Sequence, residues 1–210
     1  MPVITQPGGR ASAPRDLSLL QAFLNSDDIE GGHDELTDPR VLGAWLLRQG
    51  LVRNIVRLTR GDLGHAVRTR EALRTLLRRR ERATKASRHA LNRLATGTEL
   101  NVVFSARGPI DLLPRSDGLG EAIARLLAIA YRSSIDGTWA RLKICGNDSC
   151  QWAYYDPSCN ASGRWCTMQV CGSRAKARAF RDPAHTTTHR RSPTGVHPRR
   201  GAQALSHRDG

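Results

Sequence analysis

The chain has 210 residues, enough for one medium domain and a small one with a real core. Lys and Arg number 33 against 19 Asp and Glu, a formal net charge of +14, and 30 of the 33 are arginine. That balance points to a polyanionic partner, nucleic acid first, then an acidic lipid surface or an acidic protein, and says nothing about fold.

The opening stretch MPVITQPGGRASAPRDLSLL has no apolar signal core, and residues 1–15, rich in Gly, Pro and Ser, are expected to be disordered. LSLLQAFLNS follows, with Leu17, Leu20, Phe23 and Leu24 at helical spacing. TDPRVLGAWLLRQGL reads as a helix capped at Thr37 or Asp38, with Pro39 at its first position, Leu42, Trp45 and Leu46 on one face, and Gly50 at its end. Residues 51–60 extend that helix or form a short one. The longest helical pattern spans residues 62–97; Leu73, Leu76, Leu77, Ala83, Ala90, Leu91 and Leu94 make its apolar stripe. Arginines fill the other face, and a break near Thr84–Ser87 splits the pattern in two. NVVFSA, the turn RGP and IDLLP suggest a β-hairpin. LGEAIARLLAIAYRSSIDG is a helix with Ile123, Leu126, Leu127 and Ala130 inward, and WARLKIC is a strand. The apolar runs VLGAWLL and LLAIAY are far too short to span a bilayer, so no membrane partner and a cytoplasmic location are expected. Residues 16–138 should form a domain that stays folded as a separate fragment. Residues 184–210 lack apolar periodicity and read as a disordered basic tail.

Charge is uneven along this order. Residues 62–96 carry ten basic and three acidic side chains, while residues 1–61 are balanced at seven each. Residues 139–183 carry seven and three, and residues 184–210 five and one.

All five cysteines fall between residues 145 and 171. Cys145 and Cys150 have four residues between them, as do Cys166 and Cys171. In the cytoplasm clustered thiols are metal ligands more often than disulfides. Two matched pairs are the pattern of one structural zinc held by four thiolates, with no open position for catalysis. Gly146 follows the first ligand, where a tight turn wants a residue without a Cβ. Cys159 lies outside the pairs and reads as a spare thiol. WAYYD forms a strand, and Trp152, Tyr154 or Tyr155, and Trp165 pack around the site. After the last ligand, Ser173 is a plausible N-cap for a helix from Arg174 to Arg181. On that helix Arg174, Arg178 and Arg181 share a face, Lys176 lies to the side, and Ala175, Ala179 and Phe180 turn toward the zinc core. Such a helix suits phosphate contact or major-groove entry.

These residues resemble the CGNR zinc finger, whose motif runs roughly C-x4-C…[FW]-x-D-x-S-R-N-x-S-R-R-W-C-S-M-x-x-C-G-N-R-x-K. Cys145, Cys150, Asp156, Ser158, Asn160, Ser162, Arg164, Trp165, Cys166, Met168, Cys171, Gly172, Arg174 and Lys176 match it. Ser173 stands where the signature has asparagine, Cys159 and Gly163 replace usual arginines, and Ala161 replaces a residue that is often basic. Upstream, LLQAFLNS, LGAWLLRQGLV and LRTLLRRR look like the ABATE domain that usually precedes this finger. Proteins of this architecture are described as bacterial, stress-linked transcription regulators, and the resemblance implies DNA binding by the finger.

The expected fold class is therefore α+β: a mostly helical N-terminal domain with a small β-hairpin over 16–138, then a small treble-clef-like or ribbon-type zinc finger over 139–183. One zinc is held by Cys145, Cys150, Cys166 and Cys171. Duplex DNA is expected at Arg164, Arg174, Lys176, Arg178 and Arg181. A zinc-stabilised protein- or RNA-interaction module is the alternative. A homodimer and a small-molecule ligand of the N-terminal domain are left open. No G-x-S-x-G, H-E-x-x-H, Walker loop or G-x-G-x-x-G occurs, and His33, His65 and His89 have no partner at ligand spacing. The remaining histidines, His185, His189, His197 and His207, fall in the tail, and no enzyme activity is expected.

Overall fold

At the centre lies helix α1 (Leu17–Asn25), which buries Leu17, Leu20, Phe23 and Leu24 as its spacing predicts, and Gln21 and Asn25 as well. The structure is a computed structural model that describes residues 6–54, 57–78, 85–104, 106 and 110–181. Two short strands, β1 (Asp27–Asp28) and β2 (His33–Asp34), pair antiparallel and lead to helix α2 (Pro39–Arg48). Asp38 caps α2, accepting from the N–H of Arg40 at 2.7 Å and of Val41 at 3.1 Å. Leu42, Trp45 and Leu46 enter the core, and the Trp45 ring tilts against Phe23 at 6.0 Å. Gly50, at φ 68°, takes the left-handed conformation that ends the helix. Residues 51–54 and 57–59 do not continue it; past that reversal the chain is irregular and drops Leu51 and Val52 into the core.

Helices α3 (Arg60–Arg78) and α4 (Lys85–Ala95) divide the long helical pattern. Residues 85–87 are helical, and Thr84, where the expected break begins, lies outside the described residues together with Ala83. Leu73 and Leu77 are buried, and Leu76, Ala90, Leu91 and Leu94 are half-buried.

The expectation that arginines occupy only the outer face of α3 is overturned at Arg70 and Arg74, which are 2% and 3% exposed. Arg70 grips Asp34 with both terminal nitrogens, at 2.8 and 2.6 Å, and donates to Ser26 Oγ at 3.0 Å. Arg74 donates to Asp27 at 3.0 Å, to Glu71 at 2.9 Å and to the Leu24 carbonyl at 2.6 Å, at the end of α1. Part of the basic excess of the central segment is thus neutralised inside the molecule by the acidic β1–β2 turn. Arg70 holds Asp34 below the usual carboxylate range, against the burial that would raise it.

Strands β3 (Leu100–Phe104) and β4 (Ile110–Pro114) form the expected hairpin, with Val102 opposite Leu112 and Phe104 opposite Ile110; its RGP turn lies outside the described residues. Helix α5 (Gly118–Ile135) buries Ile123 and Leu126, with Leu127 and Ala130 half-buried at the rim of the core. The expected strand at WARLKIC begins late: Thr138–Arg141 is a turn of 3-10 helix and β5 is only Leu142–Ile144.

Strand β5 pairs with β6 (Ala153–Tyr155), Ile144 opposite Ala153. Leu142, Ile144 and Ala153 belong to the same core as α1, α3 and α5. The end of α1 binds β6 through side chains: Ala153 N–H donates to Asn25 Oδ1 at 2.7 Å, and Asn25 Nδ2 donates to Ala153 O at 2.9 Å. Gln21 Nε2 donates to the same carbonyl at 3.1 Å. The finger's hairpin thus adds Leu142, Ile144 and Ala153 to the core formed by the helices of residues 16–138. The disorder expected of residues 1–15 is corrected from Gln6 onward. Ala13 is buried and its N–H donates to Gln21 Oε1 at 2.7 Å.

Candidate metal centre

The β5–β6 turn carries the first cysteine pair. Cys145 N–H donates to Trp152 O at 2.9 Å, closing the hairpin, and Cys150 N–H donates to Asn147 O at 3.0 Å, folding the knuckle. Gly146 N–H donates to Arg164 O at 2.9 Å, which ties the knuckle to the second ligand loop. A Cβ at Gly146 would meet that oxygen at 3.1 Å and the Trp165 ring at 3.3 Å, so the position needs room. The second pair lies where a helix starts: Thr167 Oγ1 accepts from Val170 N–H at 3.2 Å, and a π turn (Met168–Gly172) runs into α6 (Ser173–Arg181). Thr167 is the cap; Ser173 is already helical at φ −64° and donates its hydroxyl back to Met168 O, so the N-cap reading of Ser173 is corrected. A knuckle on a hairpin followed by ligands at a helix start is the treble-clef arrangement.

The four sulfurs of Cys145, Cys150, Cys166 and Cys171 lie within 4.8 Å of one another, all buried, and Cys166 Sγ is 3.7 Å from both Cys150 and Cys171. Tetrahedral zinc at a Zn–S distance of about 2.3 Å requires sulfurs about 3.8 Å apart, whereas a disulfide requires about 2.05 Å. The separations fit one structural zinc. Four thiolates gathered in one buried cluster would repel one another. A divalent ion resolves that conflict by stabilising four thiolates at once. Asn147 Nδ2 supports Cys171 Sγ at 3.8 Å, and the start of a helix favours a thiolate there. Cys159 is exposed and apart from the cluster.

Around the centre, Tyr154 is buried and donates its hydroxyl to Gly163 O at 2.7 Å, and Trp152 and Trp165 pack against the cysteines as expected. The motif residues Asp156 and Ser158 build the intervening loop. Asp156 accepts from Ser158 Oγ at 2.6 Å, Gly163 N–H at 2.7 Å and Lys143 Nζ at 2.8 Å. Those donors, Lys143 first, hold its carboxyl well below the usual range despite burial. A Cβ at Gly163 would lie 2.8 Å from Asp156 Oδ2, so a larger residue there requires the carboxylate to shift. Arg141 clamps the loop from outside through the carbonyls of Asp156 and Ser158. Sequence reasoning missed Arg141 and Lys143 as internal cations, since their partners lie thirteen or more residues away.

All five cations expected to face nucleic acid are exposed. Arg164 lies over the Trp165 ring at 5.6 Å. Arg174 pairs with Glu30 of the β1–β2 turn, and Arg178 donates to Asn147 Oδ1 at 3.4 Å. Lys176 and Arg181 stand on the same exposed helix. The apolar face expected of α6 is not used: Ala175 is half-buried, Ala179 is exposed and Phe180 is 93% exposed, because the short helix projects from the centre instead of lying on it.

Fold and site together define a zinc-finger protein whose finger is fused to an α+β domain. Among family models, the one described as "Putative stress-induced transcription regulator", ABATE, matches residues 17–136, and the CGNR zinc finger matches residues 141–183. The first match covers more than half of the chain, and the chain belongs to the ABATE family. No curated protein matches it. No helix among the described residues is long and apolar enough to cross a membrane.

Proposed function

We propose that the protein is a non-enzymatic, DNA-binding transcription regulator of the cytoplasm, in which zinc fixes helix α6 as the nucleic-acid element. One observation carries this reading. After Arg141 and Lys143 are consumed inside the finger, Arg164, Arg174, Lys176, Arg178 and Arg181 remain on its outside, and α6 buries no side chain of its own. A helix with no packing role and four cations on nine residues is suited to phosphate. Arg174 exchanges Glu30 for phosphate on binding. The basic residues after 183 add sequence-independent attraction.

The test is duplex-DNA affinity of the full-length, zinc-loaded chain across a salt series. Arg178→Ala and Lys176→Ala should each lower the slope of log affinity against log salt by about 0.9 if each meets one phosphate. An Arg178→Ala, Lys176→Ala double variant with unchanged affinity and slope refutes the assignment. The exposed apolar side chains of the β3–β4 hairpin, Phe104 at 76% and Ile110 at 63%, favour a protein-contact reading instead. Tight binding to single-stranded RNA, or to no nucleic acid, selects the interaction-module alternative.

A further inference from the structure

Residues 6–16 precede both family matches, yet they are fastened to the metal centre. Gln6 Oε1 accepts from Trp152 Nε1 at 3.1 Å and from Asn25 Nδ2 at 3.0 Å, bridging the finger and α1. Pro7–Gly9 then makes a tight turn with Gly8 and Gly9 at φ 66° and 69°. The turn delivers Arg10 to the cysteines. Its guanidinium lies 5.0 Å over the Trp152 ring and donates from Nη1 to Pro7 O at 2.8 Å. Trp152 itself packs against the cysteines, which places the guanidinium at the edge of the ligand cluster. A Cβ at Gly8 would press on Arg10 Nη1 at 2.9 Å, so glycine there leaves the guanidinium its place. Beyond Arg10 the segment is fixed again, by Gln21 at Ala11 O and Ala13 N–H.

Two facts make this more than packing. Arg10 Nε is buried and has no hydrogen-bond partner among the described residues, a costly state for an N–H. A zinc ion with four thiolates carries a formal charge of about −2, which a buried site must offset. Of the other cations near the centre, Lys143 is paired with Asp156 and Arg174 with Glu30, while Arg164 and Arg178 are exposed.

We propose that Arg10 is the outer partner of the zinc centre: its guanidinium, stacked on Trp152, donates to the Cys166 thiolate and offsets the excess negative charge. Residues 6–16 are then a strap that closes over a loaded finger and opens when the metal leaves.

The test is zinc affinity of the full chain, by competition with a chromophoric chelator, for wild type, Arg10→Ala, Arg10→Lys and Arg15→Ala. Removing an outer partner of a metal ligand lowers affinity about 10–100-fold, and Arg10→Ala should fall in that range. Arg10→Lys keeps the charge without the planar fork and should fall between Arg10→Ala and wild type. Arg15→Ala removes the same charge from the same strap, at a side chain 87% exposed beside Asp136, and should match wild type. A second readout needs no variant: trypsin should cut after Arg10 slowly in loaded protein and faster once zinc is chelated. An Arg10→Ala affinity within about two-fold of wild type, or an equal loss in Arg15→Ala, overturns the assignment. Equal cleavage rates with and without zinc overturn the strap. A wild-type chain that takes up no zinc removes the metal site itself and this inference with it.

Discussion

Asn25→Ala measures how firmly the finger is built into the rest of the molecule. The Asn25 amide meets the fully buried Ala153 peptide group on both sides, accepting at 2.7 Å and donating at 2.9 Å. Alanine leaves the Ala153 N–H buried without an acceptor. The Ala153 carbonyl keeps Gln21 at 3.1 Å, so one orphan results and not two. A buried unsatisfied donor costs about 1–3 kcal/mol, and the vacated amide volume moves the total toward about 2–3 kcal/mol. At a urea dependence of about 2 kcal/mol/M, the midpoint should fall by about 1–1.5 M. The zinc-loaded full chain is unfolded in urea under two probes, far-UV ellipticity for the helices and chelator absorbance for released zinc. One transition is expected in wild type, and both probes should move together in the variant. A shift below about 0.3 M, or a zinc midpoint that moves while the ellipticity midpoint stays, refutes the shared core.

Two further outcomes follow from the same contacts. Purified protein should hold one zinc per chain by elemental analysis, and Cys166→Ser should hold none; because Leu142, Ile144 and Ala153 lie in the common core, that variant should also unfold its helices at lower urea. Asp34 and Glu121, each gripped by arginine against the burial that would raise it, have folded pKa values below their unfolded ones, so their stabilisation is complete above the unfolded pKa of about 4 and is lost as pH falls through the folded value. Thermal midpoints should be level from about pH 7 to 5 and drop below that; a steady decline between pH 7 and 5 contradicts the assignment.

The helices and the ligand set were legible in the sequence because their signals are local. Leu17, Leu20, Phe23 and Leu24 announce one face, Asp38 and Pro39 announce a start, and cysteine pairs with four residues between them announce one ion. What the sequence hid was long-range pairing of polar groups. Arg70 and Arg74 read as solvated because Asp27 and Asp34 lie 36 or more residues upstream. Gln21 and Asn25 sit between apolar helix positions and would pass for surface residues, yet they hold a strand 128 or more residues away. Gln6 and Arg10 fall in a stretch whose Gly and Pro content suggests disorder. Their order comes from Trp152 and Asn25, which composition cannot see. Phe180 misled in the opposite sense: an aromatic side chain beside a small core invited an inward assignment, but among the described residues nothing packs beneath the far end of this nine-residue helix.

The amide of Asn25 also settles which strand borders can recruit another chain. At Ala153 the outer border of β6 is occupied by a side chain imitating a neighbouring strand, so an incoming β-segment meets no free N–H there. Among the described residues of the β3–β4 hairpin, Val102, Phe104 and Ile110 stand exposed. Strand addition, in assembly or in aggregation, should therefore begin at that hairpin and spare the finger. A lysine at Phe104 would act as a gatekeeper, slowing concentration-dependent aggregation while leaving zinc content untouched.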